Sequence, residues 1–164
     1  METARLVAPA PAADWSGGQA GGGSSRTDPR PAPHVTHGVR WVCRNGFARV
    51  LDETPPGVWT APERQGWTLV KQNGRRSVWR AEICGRPYYL KYYHCGGRFD
   101  SLRRWAGATA CEAEWRGGLF ALSNGIAAVQ PAGYTLDLMI GGRRCMLLAT
   151  EALDPSCPLN EFWE

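Results

Sequence analysis

Lys91 stands inside an aromatic run, Tyr88-Tyr89-Leu90-Lys91-Tyr92-Tyr93, and is one of two lysines set against seventeen arginines. A strand that buries its neighbours keeps an ammonium where the charge has a task, because an unpaired buried charge is costly. The plain alternative is a lysine on the solvated side of a half-buried strand. Two carboxylates, Glu112 and Glu114, follow on a stretch with helical spacing. Other reactive side chains are scattered. Cys43, Cys84, Cys95, Cys111, Cys145 and Cys157 form no C-x-x-C pair, and His34, His37 and His94 do not cluster, so no metal site is expected. Such thiols read as reduced and structural, in a cytoplasmic protein.

The elements that must position Lys91 are short strands. Trp67-Thr68-Leu69-Val70-Lys71-Gln72 turns at Asn73-Gly74-Arg75-Arg76 into Ser77-Val78-Trp79-Arg80-Ala81-Glu82-Ile83, and the lysine strand follows after Cys84-Gly85-Arg86-Pro87. These three make an antiparallel meander. A helix is expected from about Ser101 to Asn124, with Asp100 or Ser101 as N-cap and Gly125 as the left-handed close. Its buried stripe would be Cys111, Trp115, Gly118, Leu119 and Leu122. Tyr134–Ile140 and Arg143–Thr150 then pair through Gly141-Gly142 as a hairpin. Upstream, Val39–Val42 and Phe47–Leu51 flank Arg44-Asn45-Gly46, where Asn-Gly predicts another hairpin.

Residues 1–38 are poor core material. They carry Pro9, Pro11, Pro29, Pro31 and Pro33 and a Gly/Ser run from Ser16 to Ser25, and they read as a disordered tail. Their charges cancel, so the net charge of +4 belongs to residues 39–164. That is too mild to argue for nucleic acid without a patch. Arg98, Arg103 and Arg104 around Trp105 form a basic stretch that reads as a solvated helix face, with anionic lipid or a phosphorylated sugar as the functional alternative. The apolar stretch Leu6-Val7-Ala8 is cut short by Pro9 and Pro11, unlike an export signal, and no window approaches a membrane span.

Three strands, one helix carrying a glutamate and two further strands, with a lysine in the third, resemble the small lobe of a protein-kinase-like fold. The texture is similar to the bacterial lipopolysaccharide kinases of the Kdo/WaaP kind. The residues that carry the resemblance are Ser77-Val78-Trp79-Arg80, Tyr88 to Tyr93, Ala113-Glu114-Trp115-Arg116, Leu122 to Ile126, and Leu148-Ala149-Thr150-Glu151-Ala152-Leu153. The fold expectation is an α+β small lobe: a five-stranded antiparallel sheet with one main helix, spanning 39–164 and preceded by the tail at 1–38.

The resemblance implies that Lys91 holds the α- and β-phosphates of ATP and that a helix glutamate orients it. Helical rotation of about 100° per residue puts Glu112 and Glu114 on either side of the buried stripe, and geometry does not choose between them. The family pattern, a glutamate directly before an aromatic, points to Glu114; the plain alternative for Glu112 is an i,i+4 pair with Arg116. Asn73-Gly74 would sit where the phosphate-covering loop belongs, though with one glycine rather than three, and it is equally a good hairpin turn. By the same resemblance Val78 packs on the adenine, Thr150 guards the back of the pocket, and Glu151 and Leu153 offer backbone groups to the adenine edge.

The implied parent reaction is transfer of the ATP γ-phosphate, with Mg2+, to a sugar hydroxyl of the lipopolysaccharide core or to a protein hydroxyl, in the cytoplasm or at the inner face of the membrane. The sequence contains no H-x-D segment with a following asparagine and no D-F-G-like motif, the parts that position the acceptor and hold metal. The run from Pro158 to Glu164 reads as the first turn after the hinge. The expectation is therefore a kinase-like small lobe with its large lobe missing or supplied elsewhere, inactive alone. The alternative from another class is a small basic, non-catalytic module binding an anionic partner such as nucleic acid.

Overall fold

The computed structural model describes residues 31–95 and 109–152. In chain order the elements are β1 (Ala32–Thr36), β2 (Val39–Cys43), α1 (Asn45–Glu53), α2 (Pro56–Thr60), a 3-10 turn (Pro62–Arg64), β3 (Thr68–Gln72), β4 (Arg76–Ile83), β5 (Arg86–His94), α3 (Ala110–Ser123), β6 (Pro131–Ile140) and β7 (Arg143–Glu151). The seven strands form one antiparallel sheet in the order β1-β2-β6-β7-β5-β4-β3. The described residues thus form a mixed α/β fold with a seven-stranded sheet, where the sequence predicts a sheet of five strands and a separate upstream hairpin.

The two extra strands come from upstream. Ala32–Thr36, assigned by composition to the tail, is an edge strand paired with β2 from Ala32↔Cys43 to Thr36↔Val39. Pro33 is tolerated there because an edge strand has one side free of ladder bonds. The turn is His37-Gly38, with φ of 50° and 76°. Positive φ at both central residues is what a two-residue hairpin of type I′ requires. Cys84-Gly85 and Gly141-Gly142 close the β4/β5 and β6/β7 hairpins in the same way.

The hairpin expected around Asn45-Gly46 does not form, because residues 45–53 are helical. Phe47, Val50, Leu51 and Thr54 recur at i, i+3, i+4 and i+7 and are all buried, which is the period of a helix lying on a core. Arg49 and Glu53 pair at 2.6 Å on the solvent side. The buried face of α1 meets Trp41, Trp59 and Tyr88: Phe47 contacts all three rings edge to face at centroid distances of 5.3–6.2 Å, and Trp41 and Trp59 contact each other at 5.4 Å. With Leu90, Tyr92, Leu147 and Ala149 these side chains build the larger core on one face of the sheet. Gly133 on β6 lets α1 come this close: a Cβ there would lie 2.7 Å from the Phe47 ring and 2.9 Å from Cys43 Cβ.

The other face carries α3. Cys111 and Trp115 are buried against Tyr93 and Leu148, with Leu119, Tyr134, Leu136 and Met146 around them. The Trp115 and Tyr134 rings meet at a tilt of 53°, their centroids 5.3 Å apart. Leu122 and Gly118 are half-buried, and Gly118 permits close approach to β6, since a Cβ would meet Pro131 Cγ at 3.2 Å. The helix begins later than predicted: Thr109 is its N-cap, its side chain accepting from the Glu112 amide. Asp100 and Ser101 lie outside the described residues, as does the Arg98–Arg104 stretch. Gly125, with φ of 68°, closes the helix as expected, its amide reaching the Leu122 carbonyl at 3.1 Å.

Candidate functional site

Alternation along β5 sends Tyr88, Leu90 and Tyr92 into the larger core and leaves Tyr89, Lys91 and Tyr93 on the α3 face. Antiparallel register carries this face across the sheet. Val78 of β4 and Leu148 of β7 stand opposite Lys91, and Thr150 of β7 stands opposite Tyr89. Lys91 therefore projects between an aliphatic side chain on one side and a fully buried leucine on the other, below the helix.

The helix supplies the countercharge. Lys91 Nζ donates to Glu114 Oε1, in an ion pair whose side chains are 24% and 35% exposed. The hydroxyl of Tyr93, two residues along the same strand, donates to Glu114 Oε2. Arg76 Nη1, at the start of β4, lies 4.0 Å from that oxygen. Burial alone pushes the Glu114 carboxyl toward the neutral form. The hydrogen bonds from Lys91 and Tyr93, with the charges of Lys91 and Arg76, outweigh it and hold the carboxyl below its ordinary range. Burial, and then the hydrogen bond to Glu114, raise the Tyr93 phenol, so it remains a donor at neutral pH.

Glu112 has a different task. Its Oε2 accepts from Thr109 Oγ1 at 2.8 Å while its amide donates to the same hydroxyl at 3.2 Å, and Arg116 lies 4.0 Å from its other oxygen. This is a local cap, with each polar end satisfied near the helix start. Of the two candidate glutamates, Glu114 is the one that meets Lys91.

The Asn73-Gly74 turn has its own hydrogen-bond economy. Asn73 Oδ1 accepts from the amides of Arg75 and Arg76 at 2.9 and 2.8 Å, and Asn73 N reaches the Arg76 carbonyl at 2.8 Å. Two of the amides that could face an anion are thus turned to the asparagine side chain, the pattern of an Asx turn. Gly74 is in open space and outside the left-handed region. At the other end of the face Thr150 is buried, its hydroxyl 3.4 Å from the Tyr89 carbonyl. The Glu151 amide bonds the Gln130 carbonyl at 2.8 Å and the Ala152 amide bonds Pro87 O at 3.0 Å. Leu153 lies outside the described residues. An open hollow of about 330 Å³ between residues 65–68 and Arg80, Glu82 and Pro87 contains none of the predicted site residues.

Sequence reasoning missed Tyr93. The signal was available: two residues after Lys91 on a strand, it must share that lysine's face. For Mg2+ the residues do not fit. Both Glu114 oxygens already accept hydrogen bonds, and among the described residues no three His, Cys, Asp or Glu side chains group where a metal ion could sit. Nor is any described helix long and apolar enough to cross a membrane.

No protein-family model matches the chain, and no curated protein matches it. Among solved structures the chain is similar to WaaP in complex with acyl carrier protein, at 23% identity and a TM-score of 0.48, over 75% of this chain and 44% of that one. The chain thus spans less than half the length of that WaaP chain.

Proposed function

We propose that this chain is the nucleotide-holding small lobe of a kinase resembling the lipopolysaccharide core (Kdo/WaaP) kinases. The observation that carries the reading is the ion pair between a strand lysine and a helix glutamate on the face that also bears Val78 and Thr150. In this reading Lys91 binds the α- and β-phosphates of ATP by charge, and Glu114 orients it. Val78 packs on the adenine, Thr150 closes the back of the pocket, and the backbone of Glu151 and Leu153 meets the adenine edge. Gly74, in the turn with Asn73, offers the phosphates its own amide. Mg2+ is expected with the phosphates in the intact kinase fold, its metal-holding side chains belonging to the large lobe, since the described residues do not fit it. The acceptor would be a core-sugar or protein hydroxyl, positioned by an aspartate of a large lobe, since the sequence contains no H-x-D segment with a following asparagine.

Titration calorimetry with ATP tests this. Loss of one charge-assisted contact, about 1.5–3 kcal/mol, corresponds to at least about tenfold weaker binding, so Lys91→Ala should weaken ATP to that extent. With labelled ATP, Mg2+ and core-sugar acceptors, no product should exceed the Lys91→Ala background. Equal ATP affinity of the Lys91→Ala variant and the unaltered chain would refute the reading. Polyanion binding that ignores Lys91 and falls steeply with salt would favour the non-catalytic binding module.

A further inference from the structure

Glu114 is held from two points on one strand. Lys91 and Tyr93 are residues i and i+2 of β5, about 7 Å apart along the strand, yet an ammonium and a phenol hydroxyl converge on the two oxygens of one carboxylate. The Tyr93 ring is itself fixed, 8% exposed among Cys111, Trp115 and Leu148. A carboxylate with a single flexible donor turns freely about its last torsion, whereas two donors on different oxygens fix its plane.

We propose that Tyr93 is a positioning residue that fixes Glu114, and with it α3, against β5, so that the Lys91 site is assembled before any ligand arrives. The inference rests on the nucleotide reading for its consequence but not for its geometry. When the Lys91 ammonium turns toward a phosphate, Glu114 loses one donor and keeps the other. Without the phenol, the same movement would leave a half-buried carboxylate with, among the described residues, Arg76 near it at 4.0 Å, and an unsatisfied charged acceptor is unfavourable. Tyr93 therefore frees Lys91 to exchange partners.

The charged and titratable groups around Glu114 limit what a test must separate. From β5 they are Lys91 and Tyr93, from β4 Arg76, and from α3 itself Cys111. On β6, Tyr134 packs on Trp115, and β7 presents the apolar Met146 and Leu148. Of the two side chains seen to donate to Glu114, Lys91 and Tyr93, only Tyr93 can lose its donor with no change of charge and almost none of volume.

The test is Tyr93→Phe in the full chain. Carboxyl carbons of 13C-labelled glutamate are titrated by NMR, with the Glu114 signal assigned by its absence in Glu114→Gln, and ATP affinity is measured in parallel. Glu114 should titrate at higher pH in Tyr93→Phe than in the unaltered chain, and ATP should bind about 3–10-fold more weakly, the range for one lost hydrogen bond. An unchanged Glu114 titration would overturn the proposal, and so would a shifted titration with unchanged ATP affinity. If Glu114 shifts but the unaltered chain binds no ATP, the positioning role stands and the nucleotide reading alone fails.

Discussion

Replacing Lys91 with methionine and Glu114 with glutamine, singly and together, isolates the energy of their pairing. Exposed ion pairs couple by about 0.2–1 kcal/mol, and breaking a fully buried pair costs about 3–5 kcal/mol. With side chains 24% and 35% exposed, this pair belongs between those limits, and we expect a coupling of about 1–2 kcal/mol. Each single variant should be destabilised by a similar amount, because Lys91→Met leaves Glu114 with Tyr93 and Arg76, and Glu114→Gln leaves Lys91 facing a neutral amide. The double variant should be little worse than either. Urea unfolding followed by tryptophan fluorescence reads all four proteins. Raising salt should reduce the coupling only in part, since screening acts mainly on exposed charges. The pH dependence has a definite sign. Glu114 is depressed in the folded state, so its contribution is complete above the ordinary glutamate pKa of about 4.3 and disappears as pH falls through the lower folded value. The stability gap between the unaltered chain and Glu114→Gln should be flat from about pH 6 to 8 and close in acid. A coupling within the additivity error of about 0.3–0.5 kcal/mol would refute the pairing argument, as would a gap that survives protonation.

Two further measurements probe the supports of the site. Gly133→Ala puts a methyl 2.7 Å from the Phe47 ring, well inside the normal carbon contact of about 3.5–4.0 Å, so thermal unfolding should report a loss of about 1–3 kcal/mol; an unchanged midpoint would show that α1 can move away. In thiol titration of the native protein Cys84, which is exposed, should react quickly, and Cys84→Ser should remove that share of the fast phase. Cys43 and Cys145, which burial pushes up to about 11 and about 12, and buried Cys111, raised further by burial, should react only on unfolding.

Strong local signals made part of this fold legible. The β6/β7 hairpin announces itself through Gly141-Gly142, because glycine accepts successive positive φ values without strain, and the β4/β5 turn is legible from Gly85 between two strand-like runs. Of the two sheet neighbours of the Lys91 strand, β4 follows from the meander, whereas β7 is brought in from beyond α3. What failed was weighted toward single dipeptides and bulk composition. Asn45-Gly46 reads as a turn until Phe47, Val50, Leu51 and Thr54 are counted as one helical face, and His37-Gly38, the turn that does form, lies where composition assigns a tail. Prolines hid β1, since a sheet edge tolerates what its interior cannot. The choice between Glu112 and Glu114 was open to helical rotation alone. It is closed by the contacts: the Thr109 hydroxyl, as N-cap, occupies Glu112 at the helix start, and Glu114 meets Lys91.

The junction between β2 and β6 has a kinetic meaning. Its ladder is short, Val42↔Tyr134 and Cys43↔Gly133, extended by the Arg44 amide on the Ala132 carbonyl. The partners are about ninety residues apart in the chain, whereas β3/β4, β4/β5 and β6/β7 join immediate neighbours through short turns. Contacts of such different range form on different timescales: hairpins close in microseconds, and a long loop must first lose its entropy. The β3–β4–β5 meander and the β6/β7 hairpin thus close locally, β5 and β7 join across about fifty to sixty residues, and the β1–β2–α1 layer, with the longest separation, docks late. The same order in reverse makes that layer the first to detach under stress, with amides of residues 32–43 exchanging through a partial opening while the strand bearing Lys91 stays closed.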